Sequence, residues 1–219
     1  MPLSGKGMLI TLMDADPAEE QDFNKWYDKE HIIERVSIPG FLEARRYVAV
    51  AGKPKYLNFY TTETLDALRS PAYLHALQNP TEWTRRHTPK FRNFVRAVAR
   101  VSFSRGQGRG GAVAFGRLRP SGGDNIGLRN SVTGALDAVL GQVISAHLLE
   151  SDPELSKPAD ATAPTVGSAD WYVVVEATDA QSLGQLAEQR FGRGANFPGA
   201  EAISFGTYRL LWDLAKAEL

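Results

Sequence analysis

The chain has 219 residues, of which 43% are hydrophobic and 23% are charged, as in ordinary globular proteins and unlike disordered or fibrous ones. Its 25 basic and 25 acidic residues cancel, which argues against a nucleic-acid-binding surface that covers the whole molecule. The absence of cysteine excludes disulfides, a thiolate nucleophile, iron–sulfur clusters and cysteine-ligated zinc. We therefore expect one or two domains with no bound metal and no cofactor.

The amino-terminal segment contains the first apolar run that could be mistaken for a targeting signal. Residues 8–13 are apolar or β-branched, but Asp14 ends the run and no small-residue cleavage site follows. The run is too short to cross a bilayer, and no later run approaches that length. We expect a cytoplasmic protein without a membrane partner.

Charge is distributed unevenly between the two halves of the chain. Residues 1–105 hold 16 basic and 12 acidic side chains, whereas residues 106–219 hold 9 and 13. The change falls at a glycine-rich stretch, residues 105–111, whose composition is typical of a flexible connection. Opposite charges suit two halves that pack together, although simple drift in composition would give the same counts.

The first half predicts the order β-α-β-β-α-β from its hydrophobic periodicity and its capping residues. Asp16-Pro17 favours a helix start, and Pro39-Gly40 ends that helix before a strand. The predicted elements are a strand at 8–13, a helix from 16 into 30–34, strands at 41–50 and 56–61, a helix from 64 and a strand at 95–104.

The second half repeats this order of elements without repeating the residues. Its predicted elements are a strand at 112–118, a helix at 130–140, a strand at 143–149, a long loop at 151–168, a strand at 171–177, a helix at 180–191 and a strand at 203–212. Two successive units predict an α+β fold of two tandem ferredoxin-like modules, residues 1–105 and 106–219. Their sheets would pack face to face as an intramolecular α+β barrel.

Residues suited to chemistry concentrate on the first predicted helix. At helical spacing, Trp26, Tyr27, Glu30 and Glu34 share one stripe, and His31 lies at its edge. Carboxylates on an apolar stripe need a partner or a cavity, since burying an unpaired charge is costly. One interpretation is a pocket in which His31 and Glu30 exchange protons near neutral pH. The other is an irregular helix end whose carboxylates pair with arginines at the rim, namely Arg35, Arg45 or Arg46.

The same helix and the turn after it carry a family resemblance. The stretch 26–34, followed by Ile38-Pro-Gly-Phe41 and Arg45-Arg46-Tyr47, resembles the dimeric α+β barrel superfamily in its EthD-like and antibiotic-biosynthesis-monooxygenase-like branch. The resemblance covers residues 7–105 well and residues 111–213 in topology only. Most such proteins are single modules that dimerise through their sheets, so this chain is expected to be a tandem repeat.

The resemblance implies a cofactor-independent small-molecule enzyme of catabolism or secondary metabolism. Its substrate would be hydrophobic or aromatic and would bind in a helix–sheet cleft of the first module. His31 would be the acid/base catalyst and Glu30 would orient it, while Trp26, Tyr27, Glu34 and Trp83 would contact the substrate. The alternative is a non-catalytic ligand-binding or accessory protein with a vestigial cleft. Beyond a small-molecule ligand we expect no nucleic-acid partner, and a homodimer of tandem barrels is possible.

The other histidines predict structural roles. His75 should be exposed or should have hydrogen-bond partners for its ring. His87 should face solvent, and His147 should pack within a strand. Related haem enzymes carry their axial histidine on a helix of the second module, so the strand position of His147 argues against haem. Consecutive helical positions diverge, which also argues against a metal at Glu30, His31 and Glu34.

A run of basic residues extends from Arg85 to Arg105 with no acidic residue among them. One interpretation is ion pairing across the sheet with Glu43, Glu150 or Glu176. The other is a site for an anionic ligand.

Overall fold

The computed structural model describes residues 3–123, 125–157, 166–192 and 195–219, which contain a closed barrel of eight antiparallel strands. Around the barrel the strands follow the order β1-β3-β2-β8-β5-β7-β6-β4. Their bounds are β1 (Gly7–Asp14), β2 (Phe41–Ala51), β3 (Tyr56–Thr62), β4 (Arg92–Gly106), β5 (Ala112–Pro120), β6 (Ser145–Ser151), β7 (Trp171–Ala177) and β8 (Ala200–Ala215).

The helices lie between the strands as the sequence predicts, with one further short helix, Glu82–His87, that the sequence analysis did not predict. Between β1 and β2 lie α1 (Glu20–Trp26), a π-helical turn (Tyr27–His31) and α2 (Ile32–Ser37), and between β3 and β4 lie α3 (Pro71–Gln78) and α4 (Glu82–His87). The second half has α5 (Asn125–Val139) and α6 (Ala180–Phe191) in the corresponding places. Within the described ranges no helix combines the length and apolar character needed to span a membrane.

Strand pairing between the halves closes the barrel at two seams. β2 pairs with β8, and β4 pairs with β6, so each four-stranded sheet covers both edges of the other. Exposed sheet edges would leave backbone hydrogen-bonding groups unpaired, and closure removes them. The predicted fold of two β-α-β-β-α-β units with facing sheets is confirmed.

Both faces of the strands are buried. The sequences of several strands are therefore nearly continuous runs of apolar residues. Alternate side chains point into the lumen, where aromatic rings such as Tyr47, Phe59, Phe115 and Tyr172 pack together. The other face of each sheet packs against the helices, in two separate apolar layers. The candidate helix belongs to the layer of the first half.

A buried group of charges joins the two halves at one end of the lumen. Nη1 of Arg45 donates to both carboxylate oxygens of Glu176, at 3.0 and 2.9 Å, and both side chains are almost fully buried. The glycine-rich connection covers this end, because the Gly110 N–H donates to Glu176 and Arg109 pairs with Glu43. A Cβ on Gly110 would lie only 2.3 Å from the carbonyl oxygen of Ala177. The connection is therefore held closely against the barrel, contrary to the flexible linker expected from its composition.

Several element boundaries differ from the prediction for local reasons. The first helix begins at Glu20, because the Asp16 carboxylate accepts the Ala18 N–H and closes a turn instead. The helix predicted from Thr64 is divided into a 3₁₀ turn, Leu65–Arg69, and α3, which Ser70 caps by accepting the Tyr73 N–H. Part of the predicted loop 151–168, residues 158–165, lies outside the described residues.

The basic run forms ion pairs mainly with partners other than those expected, although Arg100 lies directly opposite the expected partner Glu150 and helps to lower the pKa of that carboxyl. Lys90 pairs with Glu19 and Arg92 with Asp16, each at 2.6 Å, which attaches the start of β4 to the residues before α1. Of the expected partners, Glu150 pairs with Arg129, while Glu43 and Glu176 belong to the lumen group. The run thus fastens secondary-structure elements together.

Candidate functional site

The helical segment between β1 and β2 contains a π-helical turn, and the predicted site residues lie in and around this turn. The N–H of Ile32 bonds to the carbonyl of Tyr27, five residues earlier. In a regular α-helix, residues five apart differ by about 140° around the axis and do not face each other. Here the rings of Trp26 and His31 lie 4.4 Å apart. Such bulges occur frequently at functional sites.

His31 lies in an aromatic enclosure formed by the helix and β3. Besides Trp26, its ring lies 5.1 Å from that of Tyr27 and 6.4 Å from that of Tyr60. The imidazole is only 12% exposed. Most of its surroundings are therefore rings that provide shape and exclude water, and few are hydrogen-bonding groups.

Burial lowers the pKa of His31 well below its ordinary value, because desolvation penalises the charged form. The positive charges of Arg35 and Arg46 lower the pKa further. His31 is thus a neutral imidazole near pH 7, able to accept a proton rather than carrying one.

The carboxylate beside His31 belongs to Glu34. Its Oε2 lies 3.8 Å from Nδ1 of His31, beyond hydrogen-bond distance, and burial raises the pKa of Glu34. Glu30, which we expected to orient the imidazole, instead accepts a 2.5 Å hydrogen bond from the hydroxyl of Thr81. Glu30 therefore joins the helix to the start of α4, and Glu34 takes the place beside His31.

Buried polar atoms without a hydrogen-bond partner surround the imidazole. They include Nδ1 of His31, Oε2 of Glu34, Nη1 of Arg35 and the hydroxyl of Tyr60. Eleven such atoms occur in the described residues, all between positions 31 and 61, but those of Glu43, Arg45 and Tyr47 face the lumen on the other side of the sheet. A buried group left unpaired costs about 1–3 kcal/mol. The first half therefore offers donors and acceptors that a bound molecule could satisfy.

The expected wall residues occupy different depths. Trp26 and Tyr27 are completely buried, whereas Trp83 on α4 is partly exposed and donates its Nε1–H to Asp22 at 3.1 Å. Trp83 and Glu30 line a surface cavity of about 350 Å³, together with Asp22, Glu82 and Arg86. Asp22, which lines this cavity, is bonded to His87, whose ring stacks on Trp26.

His87 is a site residue that the sequence interpretation misplaced. It is 2% exposed, stacks on the indole of Trp26 at 5.3 Å and bonds through Nε2 to Asp22 at 3.0 Å. The expectation that it faces solvent is wrong. The sequence offered no signal for this, because the burial of His87 results from packing of α4 against α1.

The second half of the chain helps to hold the π-helical turn. The guanidinium of Arg46 lies over the ring of Tyr27 at 4.4 Å and donates to Asp28 at 2.9 Å. Asp28 also accepts the Nε1–H of Trp212, from β8, at 2.8 Å. A residue of the last strand is therefore bonded directly to the candidate turn.

Metal ligands do not converge on this site. In the described parts of the chain no group of three or more His, Asp or Glu side chains could hold a metal ion. Glu30 is bonded to the hydroxyl of Thr81, and the ring of His31 packs against that of Trp26.

Several solved structures share the fold of this chain over nearly its whole length. The chain is similar to an anthrone oxidase-like protein (TM-score 0.67, 12% identity, 99% of this chain and 96% of that one). It is also similar to a monooxygenase candidate from Fusobacterium nucleatum (TM-score 0.58, 8% identity, 97% and 95% covered) and to a heme-binding protein from Thermus thermophilus (TM-score 0.53, 13% identity, 96% and 92% covered). No protein-family model and no curated protein matches the sequence. At these identities the similarity shows a shared ferredoxin-like α+β barrel fold and nothing about the reaction.

Arg35→Gln should raise the pKa of His31, because it removes a positive charge that opposes protonation of the imidazole. The pKa should stay below its ordinary value, since burial is the larger cause and persists. Two-dimensional NMR of the histidine rings across a pH titration measures this directly. Arg69→Gln, which removes an exposed cation elsewhere in the same half, is the matched control. An unchanged pKa in Arg35→Gln would show that this charge does not reach the imidazole.

Proposed function

We propose that the chain is a cofactor-independent enzyme that acts on a hydrophobic or aromatic small molecule. The site lies in the first of two tandem modules, residues 1–105, of an EthD-like protein. The observation that supports this most strongly is the neutral His31, enclosed by aromatic rings and surrounded by unpartnered polar atoms. Burial keeps the imidazole neutral, so its unpartnered Nδ1 is available to accept a proton from a bound molecule.

The surroundings suggest a role for each neighbouring group. His31 would be the general base, and Glu34 would stabilise the imidazolium that forms when the imidazole takes a proton. Nη1 of Arg35 and the hydroxyl of Tyr60 are donors for a substrate oxygen. Trp26 and Tyr27 would form the apolar wall, while Glu30 and Trp83 would lie at the entrance, beside the 350 Å³ cavity.

The name of one structural neighbour, an anthrone oxidase-like protein, suggests anthrone as a probe. Anthrone is planar and aromatic, carries one carbonyl, and has an acidic methylene group opposite it. Removal of a methylene proton leaves an electron-rich anion that molecular oxygen can oxidise. One oxygen atom forms the second carbonyl of anthraquinone, and the other leaves as water with the two methylene hydrogens. His31 would take the first proton, and Arg35 would stabilise the charge on the existing carbonyl oxygen.

The test is oxygen uptake by the purified chain in the presence of anthrone, with anthraquinone measured by chromatography. We expect saturable uptake well above the rate in buffer alone, with one oxygen molecule consumed per anthraquinone. Saturable quenching of tryptophan fluorescence without oxygen uptake would favour the accessory-protein alternative. If neither oxygen uptake nor fluorescence quenching is observed, both forms of the proposal are contradicted.

A further inference from the structure

Another histidine, His147, lies in the barrel lumen, away from the proposed site, and both of its ring nitrogens have hydrogen-bond partners. Nδ1 of His147 lies 2.9 Å from the hydroxyl of Ser104, and its Nε2 lies 3.1 Å from the hydroxyl of Ser145. Oε1 of Glu176 lies 3.4 Å from the same Nε2. The strands fix this arrangement, since Ser104 on β4 is directly opposite His147 on β6, and Ser145 is directly opposite Glu176 on β7.

The carboxylate decides which imidazole nitrogen carries the proton. Glu176 is completely buried, and Arg45 and the Gly110 N–H hold it as an acceptor. Two acceptors face Nε2 of His147, the Ser145 hydroxyl at 3.1 Å and Oε1 of Glu176 at 3.4 Å, so we assign the hydrogen to Nε2 and the lone pair to Nδ1. Ser104 must then donate its hydroxyl hydrogen to Nδ1.

The imidazole is uncharged as well as oriented. Burial lowers the pKa of His147, against the opposing influence of Glu176, so the ring is a neutral base near pH 7. Its side chain is completely buried, whereas Ser104 is partly exposed near the end of β4, where the exposed Arg105 follows. A hydroxyl at the barrel end thus has a base directly behind it.

We propose that Ser104 is an activated serine, with His147 as its general base and Glu176 as the group that orients the base, and that it accepts acyl groups from small carboxylic esters. The arrangement has the order of a nucleophile, a base and a carboxylate that defines serine acyl transfer on unrelated folds. It does not depend on the site at His31.

The proposed step conserves atoms and charge. Oγ of Ser104 bonds to the ester carbonyl carbon, and its proton passes to Nδ1 of His147. The bond from that carbon to the alcohol oxygen then breaks, and the alcohol leaves with the proton. Water attacks the acyl-serine in the same way, which releases the carboxylic acid and restores Ser104. The overall reaction is hydrolysis of the ester to a carboxylic acid and an alcohol.

A biotinylated alkyl fluorophosphonate tests this on the full chain, followed by peptide mass spectrometry. The Ser104 oxygen displaces fluoride from phosphorus, and the hydroxyl proton leaves through His147. We expect the adduct on Ser104, no adduct there in Ser104→Ala, and at least about a hundredfold slower labelling in His147→Gln. Ser102→Ala is the matched control, since Ser102 on the same strand donates to the Leu148 carbonyl and should not affect labelling.

Two further measurements keep the result decisive if His147→Gln folds poorly. Wild-type chain should hydrolyse p-nitrophenyl acetate faster than Ser104→Ala, whose circular dichroism should match the wild type. His75→Gln, at an exposed histidine of α3 that belongs to neither site, should label at the wild-type rate. Absence of the adduct from Ser104 in folded wild type, or equal labelling in a folded His147→Gln, would overturn the proposal.

Discussion

His31→Gln should reduce anthrone-dependent oxygen uptake by about a hundredfold or more, because a general base typically contributes that much to a rate. Glutamine has a similar size and keeps hydrogen-bonding capacity, but it cannot take up a proton near neutral pH. The contact with the indole of Trp26 should be largely preserved, so the melting temperature should change little. Oxygen-electrode rates at several anthrone concentrations would separate the loss of turnover from any loss of binding.

His75→Gln is the matched control for this substitution. His75 is exposed on α3. Within the described residues, its ring forms a hydrogen bond with the side chain of Asn79. It should leave both oxygen uptake and stability at wild-type values. If His31→Gln lowers the melting temperature by several degrees and leaves oxygen uptake intact, His31 is a packing residue and the catalytic proposal fails.

Arg45→Met should lower the free energy of unfolding by about 3–5 kcal/mol, because it leaves a buried carboxylate without its charged partner. Arg45 and Glu176 are 131 residues apart in sequence, and both are almost fully buried in the lumen. Methionine fills much of the volume of arginine, so the loss should report the unpaired charge of Glu176 more than a cavity. Denaturant unfolding followed by circular dichroism measures the change.

Arg92→Met provides the exposed counterpart. Arg92 pairs with Asp16 at 2.6 Å, but the two side chains are 59% and 32% exposed, so the loss should stay below about 1 kcal/mol. Replacing both lumen partners, Arg45→Met with Glu176→Met, should recover part of the stability that Arg45→Met loses. Equal losses in Arg45→Met and Arg92→Met would show that the lumen pair is no more important than a surface pair.

The periodicity of the sequence was sufficient for the order of elements. Alternating and β-branched runs, separated by Pro39-Gly40 and the glycine-rich stretch, predicted two β-α-β-β-α-β units, and helix α6 has the predicted bounds. These signals are local, since each depends on residues a few positions apart. The concentration of rings, carboxylates and a histidine on the first helix was visible for the same reason.

The contacts of the candidate residues could not be predicted in this way. A regular helix would place Trp26 and His31 on different sides, and only the π-helical turn brings their rings together. That turn is bonded to Trp212, 184 residues away from Asp28 in sequence. The burial of His87 likewise depends on α4 packing against α1, which no spacing within α4 specifies.

The sequence by itself determined the order of the strands, the main helices and the segment that carries the candidate base, because periodicity and capping act over short distances. The tertiary structure alone decided that Glu34 rather than Glu30 lies beside His31, and that Arg45 meets Glu176 in the lumen. It also placed Ser104, His147 and Glu176 in one line of contacts. The two lumen outcomes follow from closure of the barrel along β2–β8 and β4–β6, where strands distant in sequence lie side by side. The position of Glu34 follows instead from the π-helical turn and from the contact of Glu30 with Thr81 at the start of α4.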